Sequence, residues 1–271
     1  GNEWTEEEWI ASRKGDTGAK GDSGVAGSGC SVKEDSVGIE ITFSGGKSFT
    51  LNHGADGKDG KSLADRWILD PRDKQLYRVV TIGEQTWMAE NLNYKTEISW
   101  CGGGIGENEG DCSKYGRFYT WAAAIDSAKL YKDKSIDCGY DKTCTLPDTV
   151  YGVCPPGWHL PDETEWDKLF IAVGGQSIAG KKLKSQSGWK DYDGTSGNGT
   201  DTYGFSAFPA GYRDYSGYFY LEGSYAFFWG ATEYNSNRAY YMGLNYSNEN
   251  AYLGNDYKNY AFSVRCLENS N

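Results

Sequence analysis

The strongest constraint on this chain is a glycine at every third position in two short runs near its start. The repeating glycines are Gly15, Gly18, Gly21, Gly24 and Gly27 in the first run, and Gly54, Gly57 and Gly60 in the second. Only glycine fits the crowded axis where three polyproline-II chains wind together, so a strict period of three is typical of a collagen-like triple helix. A flexible linker is the alternative, but a linker needs no period. We interpret the runs as the assembly segments of a homotrimer.

The segments around these runs indicate further assembly devices, each too short to be stable alone. Residues 1–14 predict a short helix that caps the trimer, with Thr5 and Glu8 forming a capping box. Residues 30–53 alternate apolar and polar side chains around a glycine-containing turn, which predicts a β-hairpin. Cys30 stands at the entrance of this hairpin, where an interchain disulfide and a buried free thiol are both open.

The remainder of the chain predicts one α+β domain. Asp162 and Glu165 form a capping box at the start of a helix over 162–173, and an Ala-rich helix is expected over 119–130. Short aromatic strands bounded by Gly, Asn and Ser follow residue 202. The predicted order is a helical cap over 1–14, triplets over 15–29, a hairpin over 30–53, triplets over 54–62 and a globular domain over 63–271.

Composition narrows the classes of partner and the location. The chain has 271 residues with a net charge of −11 and a pI near 4.8, which argues against nucleic acid or an anionic membrane as partner. Hydrophobic runs approaching twenty residues are missing from the sequence, so no membrane span is expected. The chain starts at Gly1 without a methionine, which favours a processed, exported form.

Six of the seven cysteines lie in the C-terminal part and predict a disulfide framework in an oxidising, extracellular location. These are Cys101, Cys112, Cys138, Cys144, Cys154 and Cys266. Zinc is the competing interpretation, but the sequence has no C-x-x-C and only two histidines. Spacing suggests pairs 101–112 and 138–144 as local loops and 154–266 as a long closure, one connectivity among about fifteen.

Residues 151–166, YGVCPPGWHLPDETEW, resemble the FISUMP family, the "major paralogous domain" of a rumen fibre-degrading bacterium. Further matching stretches are IGEQTWMAENL at 82–92, GFSAFPAGYR at 204–213 and SVRC at 263–266. The resemblance covers about residues 68–271 and implies an exported surface protein with a C-type-lectin-like fold. The expected fold class is therefore a disulfide-bonded α+β C-type-lectin-like domain, preceded by a trimeric collagen-like triple helix with an interrupting β-hairpin.

These features favour a structural function. We expect the subunit to trimerise through its triplets and to join head to tail into an extracellular bacterial filament that displays lectin-like domains, because heterologous contacts propagate without limit. The alternative is a discrete trimeric surface lectin or adhesin that binds carbohydrate. The expected partners are thus the protein itself and a polysaccharide or surface glycan.

Aromatic side chains supply the candidates for glycan binding, because a sugar ring packs its apolar face on an aromatic ring. The candidate residues are Tyr212, Arg213, Asp214, Tyr215, Tyr218, Tyr234, Asn235 and Tyr246. Alternation along strands sends every second side chain inward, so core packing competes with this interpretation. The usual calcium-dependent sugar motifs are absent from the sequence, so calcium stays open without a motif to support it, and no other cofactor or metal is expected.

Catalysis is not expected from the sequence. His159 has no Ser or Asp partner in a recognisable motif and is predicted to be a hydrogen-bonded structural residue. Asp162 and Glu165 are interpreted as helix caps rather than as an acid and a base. The six paired cysteines leave no reactive thiol in the C-terminal domain, so the chain is predicted not to be an enzyme.

Overall fold

The computed structural model describes residues 30–34, 38–43, 48–52 and 66–270, and the chain divides into two compact units, 1–64 and 65–271. In the first unit, β1 (Cys30–Glu34), β2 (Gly38–Phe43) and β3 (Ser48–Asn52) form an antiparallel sheet. Strands β2 and β3 make the predicted hairpin, with Ile41 opposite Phe49, and β1 pairs along the other edge of β2. The helix over 1–14, both triplet runs and the side chain of Cys30 lie outside the described residues.

Two sheets build the second unit. The five-stranded sheet has the order β4-β5-β6-β16-β9, and the eight-stranded sheet has the order β11-β10-β15-β12-β13-β14, with β8 pairing both β15 and β7. The strands are β4 (Arg66–Leu69), β5 (Leu76–Ile82), β6 (Gln85–Met88), β7 (Ser99–Cys101), β8 (Arg117–Thr120), β9 (Trp158–His159), β10 (Tyr212–Arg213), β11 (Phe219–Tyr220), β12 (Tyr225–Glu233), β13 (Arg238–Asn245), β14 (Ala251–Tyr257), β15 (Ala261–Ser263) and β16 (Leu267–Glu268).

Five short helices occur among the described residues. They are α1 (Cys112–Tyr115), α2 (Trp121–Ala124), α3 (Ser127–Lys134), α4 (Glu163–Ala172) and α5 (Gln176–Leu183). Helix α4 confirms the predicted helix, and Asp162 and Glu165 form the predicted capping box. The expected helix over 119–130 begins instead as a strand and is broken at Asp126, which has a left-handed backbone at φ +52°. Helix α5 follows Gly175 without a side-chain cap, so no capping residue in the sequence marks where this helix begins.

The core lies on both sides of the eight-stranded sheet, because β12 is buried on both faces. Phe227 and Trp229 point into one apolar cluster, whereas Ala226 and Phe228 point into the other. In the second cluster Trp87 of β6 stacks on Trp166 of α4 with ring centroids 4.6 Å apart. The central strands therefore behave as core elements and not as a loop region with exposed aromatics.

The fold class expected from the sequence is wrong. The described residues are mainly β-structure, with 32% in strands and 17% in helices, and no collagen triple helix occurs among them. The physical reason is that the aromatic segments after residue 202 form long paired strands of up to nine residues, while the Ala-rich segment splits into short helices. The longest described helix has ten residues, too few to cross a bilayer.

The fully buried side chain of Arg265 links the segment between β15 and β16 to the residues around the end of β6 and to the loop before β10. The Arg265 guanidinium donates to Asn91 Oδ1 at 2.7 Å, to the carbonyl of Ser206 at 2.9 Å and to that of Phe205. It also lies against the Phe205 and Phe228 rings, 4.6 and 5.4 Å from their centroids. Burial lowers the pKa of this group to about 9, so the guanidinium is charged at neutral pH. Its charge is therefore satisfied by hydrogen bonds to neutral acceptors.

Three disulfides close the second unit. Cys101 pairs with Cys112, Cys138 with Cys144 and Cys154 with Cys266, which are the pairs that the spacing suggests. The last pair spans 112 residues and joins the segment before β9 to the segment between β15 and β16. The pair at 138–144 closes a loop with a separation of only 6. The framework thus combines two short local loops with one long loop that covers about half of the second unit.

We expect the double variant Cys154→Ala/Cys266→Ala to lose about 5 kcal/mol of unfolding free energy, and Cys138→Ala/Cys144→Ala to lose only about 2 kcal/mol. The difference arises because a longer closed loop removes more conformational entropy from the unfolded chain. Urea denaturation of both variants and the parent would measure these losses. Equal losses in the two variants would show that loop length does not govern the contribution of these bonds.

Candidate functional site

Six tyrosines form one continuous surface, which we call the tyrosine face. Its members are Tyr212, Tyr215, Tyr218, Tyr220, Tyr257 and Tyr260. Tyr215 is 70% exposed, the largest exposure in the set, while Tyr212 and Tyr260 are half-buried. A contiguous cluster of exposed aromatic side chains is a candidate interaction surface.

Strand pairing brings these distant tyrosines together. Strand β10 lies between β11 and β15, and Tyr212 is directly opposite Tyr220 in the ladder. On the other edge of β10, Arg213 pairs with Ala261, so Tyr260 reaches the same face. Tyr212 also places its edge against Phe227 and Phe262 of the core at 5.8 and 6.1 Å. The face is therefore built on rigid strands.

The tight turn after β10 positions Tyr215 and Tyr218. Asp214 Oδ1 accepts hydrogen bonds from the backbone N–H of Ser216 at 2.9 Å and of Tyr218 at 3.0 Å. Gly217 has φ +100°, a backbone conformation that favours glycine. The carboxylate of Asp214, a candidate for glycan binding, therefore stabilises the turn. Its contribution to ligand binding is indirect, because the turn fixes the positions of Tyr215 and Tyr218.

Ring geometry decides which aromatic surfaces are open. Tyr212 is stacked between Tyr220 and Tyr260, with centroid distances of 5.5 and 5.4 Å, so both faces of its ring are covered. Tyr215 stacks on Tyr260 at 6.2 Å with one face only. At the other end of the row Tyr218 is tilted by 30° against Tyr220. The row therefore offers an open ring face at Tyr215 and ring edges with hydroxyl groups along its length.

Two phenol groups of this face, those of Tyr212 and Tyr218, have a raised pKa. Burial and the neighbouring Tyr260 raise the pKa of Tyr212 to about 12. A hydrogen bond to Glu107, at 2.8 Å, raises the pKa of Tyr218. Asp256 carries a half-buried carboxylate beside this face, and burial raises its pKa. The surface thus combines apolar rings with protonated hydroxyls and a carboxylate acceptor.

Arg213 is held against Trp100 and not presented as a free cation. Its guanidinium lies 3.9 Å from the centroid of the Trp100 ring and 5.8 Å from that of Phe219. Burial lowers the pKa of Arg213. Arg213 Nε is buried without a hydrogen-bond partner in the described part of the chain. The stack fixes the arginine at the margin of the tyrosine face.

Three candidate residues from the sequence lie elsewhere. Tyr234 and Asn235 occupy the turn between β12 and β13, where Asn235 Oδ1 accepts from the backbone N–H of Arg238 at 2.9 Å. Tyr246 lies beyond the opposite end of β13, with its ring edge-on to Tyr192 at 5.6 Å. The structure therefore unites Tyr212, Arg213, Asp214, Tyr215 and Tyr218 in one region and leaves these three outside it.

The site candidates drawn from the sequence did not include Tyr257 and Tyr260. Tyr257 and Tyr260 come from the segment between β14 and β15, almost forty residues after the other tyrosines. They reach the face because β15 inserts beside β10 and runs parallel to β12. No local pattern announces such a pairing. The Tyr-Lys-Asn-Tyr spacing at 257–260 is the only available signal, and it does not specify a partner strand.

A cleft with a volume of about 630 Å³ lies apart from the tyrosine face. Arg72 and Tyr94 line it, together with Pro155 and Pro156. The Arg72 guanidinium forms a 2.6 Å ion pair with the buried Asp70 and rests 3.9 Å from the Tyr94 ring centroid. The ion pair and the ring contact of Arg72 thus mainly hold the turn after β4 and the wall of the cleft in place.

His159 is hydrogen-bonded within the fold, as predicted. Its Nε2 lies 3.0 Å from Glu165 Oε1, and its Nδ1 lies 2.8 Å from Asn269 Oδ1. Glu165 Oε2 in turn accepts from the backbone N–H of Asp162. These contacts join β9 to the start of α4. In the described residues, no group of three or more His, Cys, Asp or Glu side chains is arranged to hold a metal ion.

Comparison with known proteins identifies one family. The model of the Fibrobacter succinogenes major domain matches residues 80–268, which is more than half of the chain and includes the whole tyrosine face. No curated protein and no solved structure matches the chain.

Thermal stability should fall as the pH rises through the titration of His159. Burial opposes its charged form, but the hydrogen bonds to Glu165 and Asn269 and the charge of Glu165 outweigh this effect and raise the pKa of His159. A pKa that is raised in the folded state adds to the free energy of unfolding. This contribution is complete below the unfolded-state pKa of about 6.5 and is lost as the pH rises above the folded-state pKa. Melting temperatures of the parent and of His159→Gln between pH 5.5 and 8.5 would measure it. A parent and variant with parallel pH profiles would contradict this assignment.

Proposed function

Because the chain belongs to the Fibrobacter succinogenes major domain family and the family match gives no activity, we propose a function from the geometry of the tyrosine face. The proposed function is the binding of carbohydrate. The observation that carries this proposal is the row of tyrosines with an open ring at Tyr215. Pyranose rings have apolar faces of C–H groups that pack on an open aromatic ring, and hydroxyl groups at their rims. The tyrosine face offers a complementary surface for both.

The composition of the face favours a neutral glycan. The phenols donate hydrogen bonds, while the carboxylate of Asp256 and that of Glu107 accept them. Two arginines lie at this face, and both are stacked on aromatic rings: Arg213 on Trp100, and Arg238 at 4.6 Å from the centroid of Tyr257. A strongly anionic ligand would meet these carboxylates at close range, which disfavours its binding. The stacked tyrosines lose little conformational entropy on binding, because neighbouring rings already fix them.

We further propose an extracellular location at the cell surface. Three disulfides support it, because such bonds form and persist in oxidising compartments. The predictions of a homotrimer and of a head-to-tail filament depend on the glycine triplets, which lie outside the described residues, and they stay predictions. Carbohydrate binding by the tyrosine face does not require either of them.

Replacement of Tyr215 by alanine should weaken glycan binding about fivefold, because an aromatic contact of this kind contributes about 1 kcal/mol. The full chain would be titrated calorimetrically with neutral gluco-, xylo- and manno-configured hexasaccharides, and the best binder would be used for the variants. Tyr131→Ala is the matched control, since Tyr131 is 63% exposed on α3, away from the face.

Two results would contradict the proposal. One is the absence of heat and of chemical-shift changes with every hexasaccharide at millimolar concentration. The other is an unchanged Kd for Tyr215→Ala, which would place the bound sugar on a different surface. A weakening in Tyr215→Ala with an unchanged Tyr131→Ala supports binding at the open end of the row.

A further inference from the structure

A polar pocket of about 360 Å³ lies at the end of α5 and shares no residue with the tyrosine face. Three segments form it: the end of α5, the tight turn over 192–195 and the turn between β13 and β14. We call it the Lys184 pocket, after the most buried charged residue in its wall. Its volume falls within the range of small-molecule sites in proteins.

Lys184 is 3% exposed and forms no ion pair with a carboxylate among the described residues. Its Nζ donates to the backbone carbonyls of Asn245 and Asn248 at 3.1 and 3.0 Å, and lies 5.0 Å from the Trp189 ring centroid. An ammonium group carries three N–H donors, so one donor has no acceptor among the described residues. Burial of a cation without an anionic partner is costly. The site therefore gains from an anion supplied by a ligand.

The charge of Lys184 persists at neutral pH. Burial lowers the pKa of Lys184 to about 8, whereas the carboxylate of Glu249 acts in the opposite direction. Glu249 itself forms an exposed ion pair with Lys181 at the rim of the pocket. The remaining carboxylate in the wall, Asp193, lies on the exposed turn over 192–195. The buried cation thus lies behind a rim whose charges largely balance each other.

Other residues that line this pocket have the features of a surface that contacts a sugar ring. Tyr192 is 52% exposed, and the one ring it contacts among the described residues is Tyr246, edge-on at 5.6 Å. Asn198 Oδ1 accepts from the backbone N–H of Trp189 at 3.0 Å, and the Asn198 amide N–H groups donate no hydrogen bond within the part of the chain that the structure describes. An open aromatic face, a free amide and a buried ammonium therefore line one pocket.

We propose that the Lys184 pocket binds an acidic sugar unit, with its carboxylate directed to Lys184 and its pyranose ring against Tyr192. The carboxylate provides the acceptor that the third N–H of Lys184 lacks, and the ring hydroxyls face Asn198. This inference is independent of the tyrosine face, which suits a neutral glycan. The protein then has two carbohydrate sites of different charge preference.

The charge requirement is tested with two forms of one ligand. The full chain is titrated with α-1,4-linked trigalacturonic acid and with its methyl ester, which keeps the rings and linkages but removes the negative charges. We expect the ester to bind roughly tenfold to a hundredfold more weakly, as for the loss of a hydrogen bond to a charged group. Equal affinities, or no binding of the acid at millimolar concentration, would overturn the proposal. This comparison leaves the turn held by Lys184 intact.

Variants then locate the ligand. Tyr192→Ala should weaken binding of trigalacturonic acid about fivefold, while Tyr140→Ala, at a similarly exposed tyrosine outside the pocket, should leave it unchanged. Tyr215→Ala should also leave it unchanged, which separates this site from the tyrosine face. An unaltered Kd in Tyr192→Ala would overturn the assignment of the ligand to this pocket.

Discussion

The buried guanidinium of Arg265 is the interaction on which the second unit depends. It collects acceptors from segments that lie far apart in sequence: Met88 at the end of β6 and Asn91 shortly after it, and Phe205 and Ser206 in the loop before β10. These acceptors are neutral, and Arg265 forms no ion pair with a carboxylate among the described residues, so only a complete set of hydrogen bonds offsets the cost of its burial. The correct fold is the arrangement that brings all of these acceptors together.

That arrangement fixes the strand from which the tyrosine face is built. Arg265 and the Cys154–Cys266 disulfide hold the chain just after β15, and the backbone N–H of Leu92 donates to the carbonyl of Val264 at 2.9 Å. Strand β15 is consequently held between β8 and β12, where Phe262 stacks on Trp229 with centroids 4.2 Å apart. The positions of Tyr257 and Tyr260, which precede β15, therefore depend on the buried hydrogen bonds of Arg265.

Local signals predicted part of this structure. The capping box at Asp162 is a contact within one helical turn, and the hairpin of β2 and β3 is set by alternation and a turn, so both could be read from the sequence. The fold class could not, because it depends on pairings such as β8 with β15 over more than a hundred residues. For the site, Tyr215 and Tyr218 follow from an aromatic segment, whereas Tyr260 required knowledge of a distant strand. The Lys184 pocket required the fold as well, because its cation is buried among residues from three separate segments.

The two proposed sites differ in the way they meet the same electrostatic problem. A chain with a net charge of −11 repels anions at long range, and this repulsion acts on every acidic glycan that approaches. The tyrosine face avoids the problem because stacking and hydroxyl groups need no ligand charge. The Lys184 pocket has to overcome it with a cation held where the local dielectric is low and screening by salt is weak. A short-range attraction from one buried ammonium can exceed a diffuse repulsion, because Coulomb energy grows steeply as distance and dielectric fall.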